Sequence, residues 1–192
     1  MSSAKRSIYC LFMTVLSILV LLASGIQPTQ AGAQDRFDWV LGSVHVPLQA
    51  NQYVFLKNLT NNNKCVEYQE REYGINLGWS VPNFCLLNIK LVRQYSANTP
   101  IQVAEPLAIF VYGGGYLHYQ SRKYGINLVW SKVPVYEWSL AKGSVWGTIY
   151  QDEVVSIYNS VERDYMVYCE REYGINLKWS GDCSSIRKDI IY

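Results

Sequence analysis

Apolar and polar residues alternate along the chain in three similar places. Val66 and Tyr68 flank Glu67, Leu117 and Tyr119 flank His118, and Met166 and Tyr168 flank Val167. A few residues later Ile75, Leu77 and Trp79 stand at every second position, as do Ile126, Leu128 and Trp130, and Ile175, Leu177 and Trp179. A period of two marks a strand with one buried face. Each place therefore predicts two strands, the second with Ile, Leu and Trp turned inward and Asn76, Asn127 or Asn176 turned outward. Gly74, Gly125 and Gly174 lie between the strands of each pair, where a turn calls for positive φ. An earlier apolar stretch precedes each pair: Tyr53 to Leu56, Ala108 to Tyr112 and Val154 to Tyr158. Turn-rich segments follow at 61–63, 113–115 and 162–164, which is a hairpin signal. A fourth stretch closes each unit: Phe84 to Leu91, Val133 to Leu140 and Ile186 to Tyr192. Four strands in three copies predict twelve strands and an all-β chain.

The three copies share Arg-x-Tyr-Gly-Ile-Asn-Leu-x-Trp-Ser, with spacings of 51 and 49 residues between the motif tyrosines Tyr73, Tyr124 and Tyr173. Self-similarity at a fixed period marks a repeat architecture. Repeats of about 50 residues, at approximately 44–95, 96–144 and 145–192, fill a single domain over 34–192. This is the plan of a β-trefoil, in which three units around a pseudo-threefold axis pool their apolar faces and close a barrel. A threefold β-prism and three SH3-like barrels in series are the rival arrangements.

Composition sharpens this picture. The first 33 residues read as a secretory signal peptide: Lys5 and Arg6, an apolar run of 15 residues from Ile8 to Leu22, and small residues at Ala31-Gly32-Ala33. The alternative is an uncleaved anchor, although about 20 apolar residues are needed to span a bilayer. Cleavage after Ala33 takes the 17 basic residues to 15, equal to the 15 acidic ones. A neutral mature chain without charge runs argues against nucleic acid and against stable membrane association. Of the 5 Cys, Cys10 leaves with the signal. Cys65, Cys85, Cys169 and Cys183 then suggest two disulfides in an exported protein. Three pairings are open, and proximity favours Cys65–Cys85 with Cys169–Cys183. No Cys-x-x-Cys pair offers a zinc site, and no metal or cofactor is expected.

Cys65-Val66-Glu67-Tyr68, the Cys65/Cys85 spacing and Tyr136-Glu137-Trp138-Ser139-Leu140 carry a family resemblance. In period and strand order the chain resembles the ricin-B-type lectin β-trefoils over most of residues 34–192. The resemblance implies a trefoil fold and glycan binding. The family's Gln-x-Trp motif is absent, and the positions of its sugar-binding Asp hold Glu67, His118 and Val167. Its stacking aromatic would fall at Gly78, Val129 and Lys178. The family's sugar site is therefore not carried over.

Candidate chemistry lies instead in the polar residues that the motif itself repeats. Arg71, Tyr73 and Asn76, Arg122, Tyr124 and Asn127, and Arg171, Tyr173 and Asn176 form three candidate ligand-binding sets. Asn supplies donors and an acceptor for sugar hydroxyls, Arg a planar donor fork, and Tyr a face for a pyranose ring. Three weak sites would gain by multivalency on glycans of a cell surface or glycoprotein. The alternative is structural, with Asn tying down the turn and Arg pairing with a neighbouring Glu. Glu70, Glu72, Glu170 and Glu172 belong to a charged turn, and Ser121 and Lys123 replace the first two in the second copy, so no catalytic carboxylate pair is expected. His45 and His118 lack a nucleophile-plus-acid arrangement nearby. The chain is expected to be a binding protein and not an enzyme. The rival function is a secreted protein-binding trefoil, such as a protease inhibitor or a component of an extracellular complex. Asn58-Leu59-Thr60 matches an N-glycosylation sequon.

Overall fold

Three hairpins with one register organise the chain. The computed structural model describes residues 38–95, 99–123, 125–171 and 174–183. In the first hairpin, β4 (Lys64–Tyr68) pairs with β5 (Leu77–Trp79), setting Val66 opposite Trp79 and Tyr68 opposite Leu77. In the second, β8 (Gly115–Tyr119) pairs with β9 (Leu128–Ser131), setting Leu117 opposite Trp130 and Tyr119 opposite Leu128. In the third, β12 (Asp164–Tyr168) pairs with β13 (Leu177–Trp179), setting Met166 opposite Trp179 and Tyr168 opposite Leu177. The remaining strands are β1 (Trp39–Val40), β2 (Tyr53–Val54), β3 (Lys57–Asn58), β6 (Ile89–Arg93), β7 (Leu107–Val111), β10 (Trp138–Ala141) and β11 (Ser156–Asn159). All pairings are antiparallel, and the chain is all-β apart from a helical turn at 180–183.

The ladders form two open sheets, one of order β1-β3-β4-β5 and one of order β13-β12-β11-β10-β7-β6-β2 with β8 and β9 branching from β7. The closed barrel expected from the sequence is not drawn by these ladders. The expected strand over Tyr53 to Leu56 ends at Val54, and a separate strand begins at Lys57, so that β2 and β3 fall in different sheets. A single bridge, Trp39 to Val155, joins β1 to the residue preceding β11.

The expected closing stretches start later than predicted, at Ile89 and Trp138, and Ile186 to Tyr192 lies outside the described residues. Residues 38–40 meet the third hairpin. The Trp39 indole donates to the Met166 carbonyl at 2.9 Å, just as the Trp138 indole donates to that of Leu117 at 2.9 Å. At the first hairpin the Asn88 amide donates to the Val66 carbonyl at 3.2 Å. The likeness of Asp38-Trp39-Val40-Leu41 to Glu137-Trp138-Ser139-Leu140 is the sequence signal for this contact.

The core collects the inner faces of the hairpins. Leu77, Leu128 and Leu177 are wholly buried, with Ile75, Ile126 and Ile175 beside them. Trp179 is buried, whereas Trp79 and Trp130 are half-buried and pack against the core from its edge. Each hairpin tyrosine touches the tryptophan of the next hairpin: Tyr68 with Trp130 at 6.1 Å, Tyr119 with Trp179 at 5.9 Å and Tyr168 with Trp79 at 5.9 Å. Beneath them three backbone hydrogen bonds make a closed ring. Ile101 N–H donates to Leu48 C=O, Leu48 N–H to Ile149 C=O and Ile149 N–H to Ile101 C=O, at 2.8, 2.8 and 2.9 Å.

Cys65–Cys85 and Cys169–Cys183 are both disulfides. They close loops of 20 and 14 residues, each worth about 3 kcal/mol in lost unfolded-chain entropy. Among the described residues no helix is long and apolar enough to cross a membrane. Asn58 of the sequon is wholly buried, its amide on Asp38 at 2.7 Å and its side-chain oxygen accepting from Asn61 N–H at 2.7 Å. A glycan on that nitrogen is incompatible with this packing.

Asp38 is only 4% exposed, and burial outweighs its hydrogen bonds from Asn58 and Tyr168, pushing its pKa from 3.8 up to about 6. The folded chain then binds this proton where the unfolded chain has released it. Stability should fall as pH rises from about 4 to about 6 and level off above, by on the order of 3 kcal/mol. Thermal unfolding across that range should show the slope in the native protein and a shallower one in Asp38→Asn. Parallel curves for the two proteins would contradict this assignment.

Candidate functional site

The repeated Arg and Asn brace the turn between the two strands of each hairpin. Asn76 Oδ1 accepts the Arg71 backbone N–H at 3.2 Å, Asn127 Oδ1 that of Arg122 at 3.0 Å, and Asn176 Oδ1 that of Arg171 at 3.3 Å. The guanidinium reaches back across the turn, Nη1 donating to the carbonyl of Leu77, Leu128 or Leu177 at 3.1, 3.1 and 3.3 Å. The Arg partner is thus a backbone oxygen and not the neighbouring Glu. Asn76 further donates to the Tyr68 hydroxyl at 3.2 Å. Gly74, Gly125 and Gly174 all sit at φ of 87–88°, a conformation that strains any residue with a Cβ. This is why the motif keeps glycine between Tyr and Ile. Tyr73 projects into solvent at 78% exposure. Tyr124 and Tyr173 lie outside the described residues.

Within a hairpin, then, the Asn oxygen and one Arg nitrogen are already engaged. The structure brings candidate residues together between hairpins instead. A cavity of about 210 Å³ is lined by Gly125, Ile126 and Asn127 of the second hairpin and by Arg171, Lys178 and Trp179 of the third, with Asp182 beside them. Asn127 and Arg171 were expected in separate sets; here they share one wall. Burial pulls the Arg171 pKa down, against the opposing charge of Asp182. Burial and then the Arg171 charge pull Lys178 down, with Asp182 again opposing. Among the described residues, two cations and one carboxylate thus line the cavity.

The other two hairpins carry other residues at the positions of Lys178 and Asp182. Counted from the motif Trp, the place of Lys178 is taken by Gly78 and Val129, and that of Asp182 by Pro82 and Val133. The Gln69 side chain lies so close over Gly78 that an added Cβ would stand 2.0 Å from its Oε1. The three sets anticipated from the motif are alike in their turns and unlike in their surroundings. Among the described residues, Trp79, Trp130 and Trp179 each bury an indole N–H without a hydrogen-bond partner, and Trp179 is the one in the charged cavity. A buried donor left unsatisfied costs about 1–3 kcal/mol.

Sequence reasoning missed Lys178, Trp179 and Asp182 as site residues. The signal was Lys178 itself, the one cation among the three residues between the motif Leu and Trp. Among the described residues no group of three or more His, Cys, Asp or Glu is placed to hold a metal. No family model, no curated protein and no solved structure matches the chain.

The bracing bonds predict that Asn76→Ala, Asn127→Ala and Asn176→Ala each lower unfolding free energy by about 1–2 kcal/mol in urea titrations. Unchanged midpoints in all three would show that these amides do not hold the turns.

Proposed function

We propose that the chain is a secreted β-trefoil that binds carbohydrate, with its principal site in the charged cavity between the second and third hairpins. The cavity carries the proposal, because it joins the turn amide of Asn127, two cations and a tryptophan in one concave place. Asn127 and Arg171 suit hydroxyl and carboxylate oxygens, and Lys178 adds a second positive charge for an acidic sugar.

The architecture draws support from internal correspondence. Val54 pairs with Ile89, Leu107 with Trp138 and Val155 with Trp39, three matching contacts spaced about 50 residues apart. The ring through Leu48, Ile101 and Ile149 and the belt of Tyr–Trp contacts have the same threefold order. The bridge from Trp39 to Val155, which joins a strand of one sheet to the residue before a strand of the other, supports the same reading. Secretion is supported by the two disulfides, which persist in oxidising compartments.

A protein-binding role is the second reading, favoured by the exposed apolar residues Val81, Phe84, Leu86 and Leu87 flanking Cys85.

A glycan array probed with the purified protein tests the first reading. Binding should favour acidic saccharides, and Lys178→Val, which installs the second hairpin's residue, should weaken it at least tenfold while thermal unfolding stays put. A blank array, or full binding by Lys178→Val, would remove the cavity from consideration.

A further inference from the structure

Three strands lead away from the hairpins toward one end of the domain. Trp39, Asn88 and Trp138 donate to the hairpin carbonyls of Met166, Val66 and Leu117. From these contacts β1, β6 and β10 run on, and the connections that follow them begin at Gly42, Gln94 and Gly143. Each connection then enters the backbone ring, at Leu48, Ile101 or Ile149. The ring residues bond directly to one another, so the three connections share the end of the domain away from the hairpins.

Formal charge is missing from this end. Residues 42–50, 94–102 and 143–151 hold no Asp, Glu, Lys or Arg, in a chain that is 17% charged. Arg93 and Lys142, which precede the second and third connections, are mostly buried and paired, Arg93 with Glu105 and Lys142 with Glu153 at 2.9 Å. His45, in the first, stacks on Tyr150 at 4.4 Å and places Nδ1 2.9 Å from Asp152.

Apolar and aromatic side chains are displayed instead. Val145 is 87% exposed and Trp146 79%, and Tyr95, Val44 and Val46 are exposed with them. Of the 6 Trp, the other five are buried or half-buried. Gly143 and Gly147 bracket Val145 and Trp146, and a Cβ added at either glycine would meet nothing within 4 Å. The base of this tip is nevertheless held. The Ser144 hydroxyl donates to the Trp146 carbonyl at 3.0 Å, and the Gly147 carbonyl accepts from Val103 N–H at 2.9 Å. A tryptophan thus stands clear in solvent on a braced loop.

We propose that this end of the domain rests reversibly on a zwitterionic lipid surface, with Val145 and Trp146 entering the headgroup boundary and Tyr95, Val44 and Val46 beside them. Trp and Tyr settle at that level because their rings are apolar with one polar edge. A loop that dips there must carry no charge whose hydration would be lost, and these loops carry none. Their neutrality complements phosphatidylcholine, whereas docking on anionic lipid would call for clustered Lys and Arg. A soft layer also accepts separate tips from several loops. A protein partner or a second copy would need a matching rigid surface, and such contacts are enriched in Arg. The proposal is independent of the carbohydrate cavity, which uses other residues.

The test is sedimentation of the purified protein with phosphatidylcholine vesicles, read together with tryptophan emission. The protein should sediment with the vesicles equally in about 0.1 M and about 0.5 M NaCl, because no screened charge is involved. Its emission should shift to the blue. Trp146→Ser and Val145→Ser should each weaken binding at least fivefold with the unfolding midpoint unchanged, so either variant suffices if the other folds poorly. Val161→Ser, at an exposed apolar position in the turn between β11 and β12, and Lys178→Val should bind as the native protein does. No sedimentation with vesicles, full binding by folded Trp146→Ser, or binding confined to phosphatidylserine-containing vesicles and lost in salt would overturn the proposal. So would a dimer in sedimentation equilibrium that Trp146→Ser dissociates, which would assign this end to a second copy.

Discussion

A two-stranded hairpin has one face to bury and nothing of its own to bury it against. Each hairpin here carries an Ile, a Leu and a Trp on that face, and each such side chain gains about 1.5–3 kcal/mol only if a neighbour covers it. Each Trp is met by the tyrosine of the preceding hairpin, Trp130 by Tyr68, Trp179 by Tyr119 and Trp79 by Tyr168, and Trp79 and Trp179 also stack on Trp39 and Trp138. The circle has no end, so no hairpin is left with an uncovered flank. The ring of backbone hydrogen bonds through Leu48, Ile101 and Ile149 ties the connecting segments into the same circle. Every other feature, from the bracing of the turns to the cavity between them, depends on this mutual covering.

That dependence explains what was legible in the sequence. The hairpins were readable because alternation and glycine placement are local, and the observed registers set Trp79, Trp130 and Trp179 opposite Val66, Leu117 and Met166. The disulfide pairs were readable because each closes a short loop. The contact of residues 38–40 with the third hairpin was not, because Trp39 acts on Met166 from 127 residues away. Only the likeness of Asp38-Trp39 to Glu137-Trp138 hinted at it. The grouping of site residues was obscured for a related reason. The motif repeats within hairpins, so it suggests an Arg, Tyr and Asn from one copy, whereas the cavity draws Asn127 from one hairpin and Arg171 from the next.

The motif residues repeat because they maintain the frame. The turn needs glycine at positive φ, an Asn oxygen for the Arg N–H and an Arg to reach the Leu carbonyl, and the three turns meet these needs with nearly the same distances. Positions that the frame does not fix are where the copies diverge. Between Leu and Trp the chain places Gly78, Val129 and Lys178, and the charged cavity follows from the last of these. In the closing strand it places Val40, Lys90 and Ser139, and the lysine reaches the rings of Tyr53 and Phe110.

The buried carboxylates sit on the boundary between these two kinds of position. Asp38 and Glu137 both accept from a wholly buried Asn, Asn58 or Asn159, and each receives a backbone N–H from a hairpin tyrosine, Tyr168 or Tyr119. Asn88 takes their place at the first hairpin, and its side-chain oxygen is left buried without a partner while its amide replaces the missing indole on Val66. One side chain therefore does part of the work that an acid and a tryptophan share elsewhere. An acid beneath the hairpin is consequently not required for the hairpin to close. Where it remains, it brings a desolvation cost, which at Asp38 appears as a raised pKa. At Glu137 the same kind of position places a carboxylate in the wall of an open cleft. Equivalent positions thus carry a raised carboxylate pKa in one copy and a carboxylate held by three hydrogen bonds in another, because the surroundings, and not the strand geometry, decide what a buried charge does.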